Sequence, residues 1–242
     1  MKKVLSICFA AALVAVTASL MSFNWFNEKV RGNGEIKEES RTASPFTSIA
    51  TSGIYKVVIE QGDKFSVRVE TDANLLPYVE TTFQNNTLEI SSRKGYDLNP
   101  SKAMTVYVTM KELESLSGSG VCSFTSKGSL KSDRVKIGVS GASNIDLDLK
   151  VQQLKVGLSG AAHIQLSGSA TTANFGVSGA GEIRALDLAI EEAEVGVSGS
   201  GQVNLSVNKR LKAGVSGAGH VRYKGDATVN PSVSGAGSIK KI

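Results

Sequence analysis

Along the second half of the chain apolar and polar residues alternate, and the alternation restarts at a recurring Ser-Gly. Seven copies stand at Ser117-Gly118-Ser119-Gly120, Ser140-Gly141-Ala142-Ser143, Ser159-Gly160-Ala161-Ala162, Ser178-Gly179-Ala180-Gly181, Ser198-Gly199-Ser200-Gly201, Ser216-Gly217-Ala218-Gly219 and Ser234-Gly235-Ala236-Gly237. Their first serines are 23, 19, 19, 20, 18 and 18 residues apart, a period that fits one coil of a repeat rather than one domain. Apolar residues precede each serine (Leu116, Val139, Leu158, Val177, Val197, Val215, Val233) and return five residues after it (Cys122, Ile145, Ile164, Ile183, Val203, Val221, Ile239). A period of two predicts strands with one buried face, because successive side chains of a strand point to opposite sides. Helix pairs are excluded by the same period and by glycines that would break each helix.

The pattern extends from five residues before the serine to seven after it, a block of 13 residues separated from the next by spacers of 10, 6, 6, 7, 5 and 5. Length variation confined to one place on the coil predicts a spacer facing solvent. A straight strand of that block would run about 43 Å at ~3.3 Å per residue, so the chain must bend, and Ser-Gly-Ala-Gly is where it can. Stacking the coils at the strand spacing lays the Val, Ile and Leu rows on one another. The expected architecture is all-β: a β-solenoid of seven C-terminal repeat coils over residues 117–242, with the serines as hydrogen-bonding corners.

Before the repeats, residues 44–116 read as a β-rich cap continuous with the solenoid. Strands are expected at 54–60, 65–70, 87–91 and 104–110, with a hairpin at Gln84-Asn85-Asn86 and Asp72 capping a short helical or irregular stretch. Thr51-Ser52-Gly53-Ile54 looks like a degenerate corner. Residues 19–43, polar and containing Arg31-Gly32-Asn33-Gly34, read as a linker. At the other end Pro231 and Lys240-Lys241 are expected to guard the last strand edge, favouring a monomer over end-to-end docking of subunits.

The N-terminus sets the compartment. Lys2-Lys3, the apolar run Val4–Val16 and the small residues at Val16-Thr17-Ala18 form a secretory signal over residues 1–18, with an uncleaved anchor as the alternative. Export to the periplasm, the outer surface or the medium follows, with no stable membrane span after cleavage. Cleavage removes two lysines from a formal charge of +5, a balance too mild to imply nucleic acid. It also leaves Cys122 alone, so no internal disulfide forms; placed in an Ile/Val column, it reads as a small core residue.

Candidate chemistry lies in two outward rows beyond the corner. One runs Val121, Asn144, His163, Glu182, Gln202, His220, Ser238; the other Ser123, Asp146, Gln165, Arg184, Asn204, Arg222, Lys240. Asn144, Asp146, His163, Gln165, Glu182, Arg184, Gln202, Asn204, His220 and Arg222 form a polar strip fit for a glycan or a protein strand. His163 and Glu182 are expected on adjacent coils, either as a metal or acid–base pair or as an ordinary surface pair; two ligands do not make a metal site. Asp146 with Asp148, and Glu191, Glu192 and Glu194, are the paired carboxylates a polysaccharide-cleaving enzyme would need, but the row of Asp146 continues with Gln165 and Arg184. Ser-Gly-Ala-Gly has no triad partner, GK[ST] or following helix, so neither a hydrolase nucleophile nor a phosphate loop is expected. No catalytic residue, metal or cofactor is predicted.

Phe46-Thr47-Ser48-Ile49, Val57-Val58-Ile59-Glu60-Gln61-Gly62-Asp63, Asn74-Leu75-Leu76-Pro77-Tyr78, Val106-Tyr107-Val108-Thr109 and the repeated Val-Ser-Gly-Ala-Gly-x-Ile resemble an exported bacterial family, the auto-transporter adhesin head GIN domain. The resemblance covers about residues 44–225 and implies a right-handed parallel β-helix. The expected function is a non-enzymatic, adhesin-like surface or periplasmic module binding glycan or envelope protein. Alternatives are a carbohydrate-active β-helix enzyme and an envelope assembly component that self-associates through a solenoid end.

Overall fold

A computed structural model describes residues 27–242; the secretory signal expected over residues 1–18 lies outside the described residues. Eighteen strands follow one another: β1 (Glu28–Arg31), β2 (Ile36–Arg41), β3 (Ser48–Gly53), β4 (Tyr55–Gln61), β5 (Ser66–Asp72), β6 (Val79–Gln84), β7 (Thr87–Ser92), β8 (Tyr96–Asn99), β9 (Met104–Met110), β10 (Ser115–Gly120), β11 (Ser123–Gly141), β12 (Asn144–Gly160), β13 (His163–Gly179), β14 (Glu182–Gly199), β15 (Gln202–Gly217), β16 (His220–Lys224), β17 (Thr228–Ser234) and β18 (Ser238–Lys241). From β10 to β18 every pairing is parallel, coil upon coil, as the repeat requires.

Each middle coil is nearly one continuous strand that breaks only at the corner. There Gly53, Gly120, Gly141, Gly160, Gly179, Gly199, Gly217 and Gly235 stack in one column, all at φ between +95° and +121°. A Cβ on Gly160 would stand 2.7 Å from the carbonyl oxygen of Gly141, so backbone conformation and crowding both demand glycine. The corner is tied by main chain: the Ala142 N–H donates to Gly120 O at 3.0 Å and the Asn144 N–H to Cys122 O at 2.8 Å. The expected serine hydrogen bonds are not what holds it, and those serines stand exposed on the outer face.

Inside, matched rows fill the core, among them Val139–Leu158–Val177–Val197–Val215 and Ile145–Ile164–Ile183–Val203–Val221. Burying each such side chain contributes about 1.5–3 kcal/mol. The spacers are not simply solvent-facing. They form a further wall, with Leu149, Val151, Ala170, Leu188, Ile190 and Val207 turned inward, and their length differences are absorbed as register shifts between Thr125 and Ser129, Gln165 and Ser167, and Ala185 and Ala189.

The first repeat is displaced by two residues from its sequence reading. Ser119-Gly120, not Ser117-Gly118, pairs with Ser140-Gly141 and with Ser52-Gly53, which confirms the degenerate corner at Ser52-Gly53. Phe124 therefore sits in the isoleucine row, and Cys122 lies inside the corner against Ser143, their Sγ and Oγ 3.4 Å apart. Two Ser-Gly pairs in succession made both registers compatible with the alternation. Cys122 is still a buried residue, as expected.

The cap closes the first coil with antiparallel strands. β6 and β7 form a hairpin through Asn85 and Asn86, both at positive φ, and β7 continues onto β3. β5 lies between β2 and β9, antiparallel to both, and β9 leads through β4 to β11. The described part of the stretch read as a linker thus carries two strands: β2 covers β5, and β1 pairs with β8, a strand outside those expected from the sequence. Asp72 does not cap a helix. Its fully buried carboxylate accepts hydrogen bonds from Gly34 N at 2.6 Å, Ser101 N at 2.9 Å and Ser101 Oγ at 2.6 Å, stapling the β1–β2 turn to the loop before β9.

Candidate functional site

Just before the corner, the outer face of each coil carries two small columns side by side. One contains Ala50, Ser117, Gly138, Gly157, Gly176, Gly196, Gly214 and Ser232; the other contains Ser52, Ser119, Ser140, Ser159, Ser178, Ser198, Ser216 and Ser234. With hydrogen atoms where neighbouring columns have side chains, the face sinks into an open trough of about 1160 Å³ along the solenoid. Eight serine hydroxyls, seven steps apart at ~4.8 Å, give it a length of about 34 Å. Glu89 and Ile90 border its cap end. Gly138, Gly157 and Gly196 need no special backbone angle, and a Cβ there would meet nothing within 4 Å. Folding at the corner does not require them to be glycine, which separates them from the corner column.

Sequence reasoning passed over this trough. The signal was present, a glycine two residues before the serine in five successive copies, but it was absorbed into the general glycine content of the corner. Only the stacking turns five separate gaps into one channel.

Beyond the corner, the predicted polar strip is brought together for six coils, with one correction. Ser123 pairs with Asn144 and Thr125 with Asp146, so Val121, 61% exposed at the corner, is not part of it. Asn144, His163, Glu182, Gln202 and His220 are successive partners, as are Asp146, Gln165, Arg184, Asn204 and Arg222. His163 Nδ1 lies 3.7 Å from Glu182, as expected for neighbours on adjacent coils. Glu182 is the hub: Arg184 Nε stands 2.9 Å from its Oε1, Arg184 Nη2 donates to Oε2 at 2.9 Å, and Asn204 Nδ2 reaches Oε1 at 3.3 Å. The Arg184 hydrogen bond, opposed by partial burial and helped by the charge of Arg184 and by His163, holds the Glu182 carboxyl below its ordinary range. His220 Nδ1 shares a 2.9 Å hydrogen bond with Ser238. Gln165, Arg184, Asp187, Asn204 and Arg222 border a depression of about 480 Å³.

Asp146 is outward and exposed as parity predicts, whereas Asp148 is partly covered, with Oδ1 buried. Glu191, Glu192 and Glu194 are consumed by ion pairs to Lys209, Arg210 and Lys212 on the next coil, at 2.8, 3.5 and 2.7 Å. Among the described residues no group of three His, Cys, Asp or Glu side chains is placed to hold a metal. Among the described residues no helix is long and apolar enough to cross a membrane.

Comparison with known proteins places this coil arrangement. The family model described as "Putative auto-transporter adhesin, head GIN domain" matches residues 45–227. The chain belongs to this GIN-domain family. No curated protein matches it significantly. Among solved structures, a putative adhesin from Bacteroides fragilis superposes with a TM-score of 0.84 at 25% identity, over 88% of this chain and all of its own. A protein from Parabacteroides distasonis described as a putative lipid binding protein gives 0.76 at 28% identity, over 89% and 100%. A putative adhesin from Parabacteroides merdae gives 0.67 at 26%, over 89% and 99%. The GIN-domain fold is therefore shared along almost the whole described chain.

Proposed function

We propose that this GIN-domain protein is an exported, non-catalytic, adhesin-like module that holds a linear glycan along the glycine–serine trough. One observation carries the reading: a concave face about 34 Å long on which one column holds only small residues, glycine at its five central rungs, and the next offers a hydroxyl at every rung. A chain-like ligand fits a site that repeats at one spacing, and the exposed serine hydroxyls favour a hydroxylated chain over the acyl chain suggested by the neighbour described as lipid-binding. Export is supported by the signal-like N-terminus and by the family's description. The non-catalytic reading rests on the carboxylates. A glycosidase acid needs a raised pKa, but Glu182 is held low by Arg184, and Asp146 is flanked in its row by Thr125 and Gln165.

The polar strip is the second reading, for a glycan or an envelope protein, and its 480 Å³ depression between Arg184 and Arg222 favours it. Its central groups, however, are already bonded to one another through Glu182. A glycan array separates the two. Gly157→Trp/Gly196→Trp fills the trough without straining the backbone, and is expected to abolish glycan binding at unchanged Tm. Exchanging the charges, Glu182→Arg with Arg184→Glu, is expected to leave it intact. The reverse pattern moves the ligand to the strip, and a protein that binds no glycan sinks the proposal.

A further inference from the structure

We infer that the ligand of this protein is an acidic glycan, whose anionic groups are held by a basic patch on β11 and β12 beside the trough. The inference deepens the trough reading and rests on it for the glycan class, but the patch is a separate observation. Five cations, Lys131, Arg134, Lys136, Lys150 and Lys155, are exposed on two adjacent coils, outnumbering the neighbouring acids Asp133 and Asp148. The register stacks Lys131 on Lys150 and Lys136 on Lys155. Like charges directly opposite on neighbouring strands repel, and this chain stacks them twice.

The rest of the same columns shows that this is not how the coil normally handles charge. Three coils further on, the column of Arg134 has Glu192 paired with Arg210, and the column of Lys136 has Glu194 paired with Lys212. Between the two halves lie the uncharged Thr172 and Asn174. On the preceding side, Glu112 accepts from Ser132 Oγ and Glu114 from Thr47 Oγ1, and neither forms an ion pair with these cations. None of the five cations takes part in an ion pair among the described residues. Charge is thus internally matched at one end of the columns and left open at the other.

The open end has a shape as well as a sign. Arg134, Lys136, Lys155 and Asn174 border a depression of about 410 Å³ floored by Val135 and Leu154, whose far side is formed by the ion-paired Glu192 and Glu194. Lys136 and Lys155 each lie two residues before a trough glycine, Gly138 and Gly157, about 7 Å along the strand and on the same outward face. A chain lying in the trough therefore passes within reach of flexible ammonium groups at two successive rungs. Cations that repeat at the coil spacing, next to a channel that runs across the coils, complement a polymer carrying a carboxylate or sulfate on successive sugars. A flat anionic surface would need the charges on a convex face away from the groove.

The test uses the mature full chain and polygalacturonate, with its neutral methyl ester as control and phosphatidylglycerol vesicles as the competing source of anions. Polygalacturonate is expected to bind, to bind at least about tenfold more weakly in the Lys136→Gln/Lys155→Gln/Arg134→Gln variant, and to lose affinity as salt rises. Because the substitutions relieve repulsion, the Tm of that variant is expected to be no lower than wild type. No polygalacturonate binding by the wild type, full retention by the triple variant, equal binding of the methyl ester, or binding of the vesicles alone would each overturn the inference. Gly157→Trp/Gly196→Trp tells the two proposals apart. If it keeps polygalacturonate that the triple variant loses, the patch stands and the trough reading fails; if it loses a neutral glycan that the triple variant keeps, the trough stands and the acidic ligand fails.

Discussion

Two glycines nineteen residues from their counterparts, and three residues from each other, answer to different forces. Gly160 is held at φ +110° under the carbonyl of Gly141, while Gly157 faces open space. Gly160→Ala is expected to cost about 1–3 kcal/mol from backbone strain alone, whereas Gly157→Ala is expected to be neutral or slightly stabilising; paired urea titrations check both. Asp72 is the other decisive residue. Burial raises its pKa, but the hydrogen bonds from Ser101 and Gly34 outweigh burial and bring it below the ordinary carboxylate value. A depressed folded pKa means the staple stabilises the chain above about pH 4, the unfolded value, and is lost as pH falls through the lower folded value. Asp72→Asn should therefore lower the urea midpoint at pH 6 and narrow its difference from wild type at the most acidic pH.

The coils behave as elements whose cores are shared. Leu158 in β12 packs in a row between Val139 and Val177 of the flanking coils, so Leu158→Ala opens a cavity for three coils at once and is expected to cost about 2–5 kcal/mol. The strands ahead of the solenoid are equally part of the fold. β2 covers β5, and Arg41 donates to Leu76 O at 2.9 Å, so a chain beginning after residue 41 should show a lower Tm and faster aggregation through the bared β5 edge. The segment was illegible in sequence because β2, Ile-Lys-Glu-Glu-Ser-Arg, has one half-buried apolar residue and is otherwise polar. It is a strand because β5 offers it an edge, not because its own pattern insists.

At the scale of the molecule, the last coil leaves part of its inward face uncovered: Val233 is 47% exposed where its counterparts in earlier coils are at most 4%. An open core end invites stacking of a second copy, opposed by Pro231, which lacks a donor in β17, and by Lys240 and Lys241 in β18. The chain over residues 27–242 is expected to scatter light as a monomer over a wide concentration range. Pro231→Thr/Lys240→Thr should produce larger, concentration-dependent species.

The period-two alternation and its restart every 18–23 residues determined the β-solenoid, its corners and most of its core, because a strand with one buried face must repeat that face in the sequence. The same parity placed the polar strip from Asn144 to Arg222 and brought His163 against Glu182. It could not choose between Ser117-Gly118 and Ser119-Gly120, since both keep the alternation and only pairing with Ser52-Gly53 and Ser140-Gly141 decides the register. Nor could it show the trough or the unpaired lysines. A missing side chain at Gly157, or a charge at Lys155, means little by itself; each acquires meaning from the residue stacked above and below it, nineteen or so positions away in the chain and one strand spacing away in space.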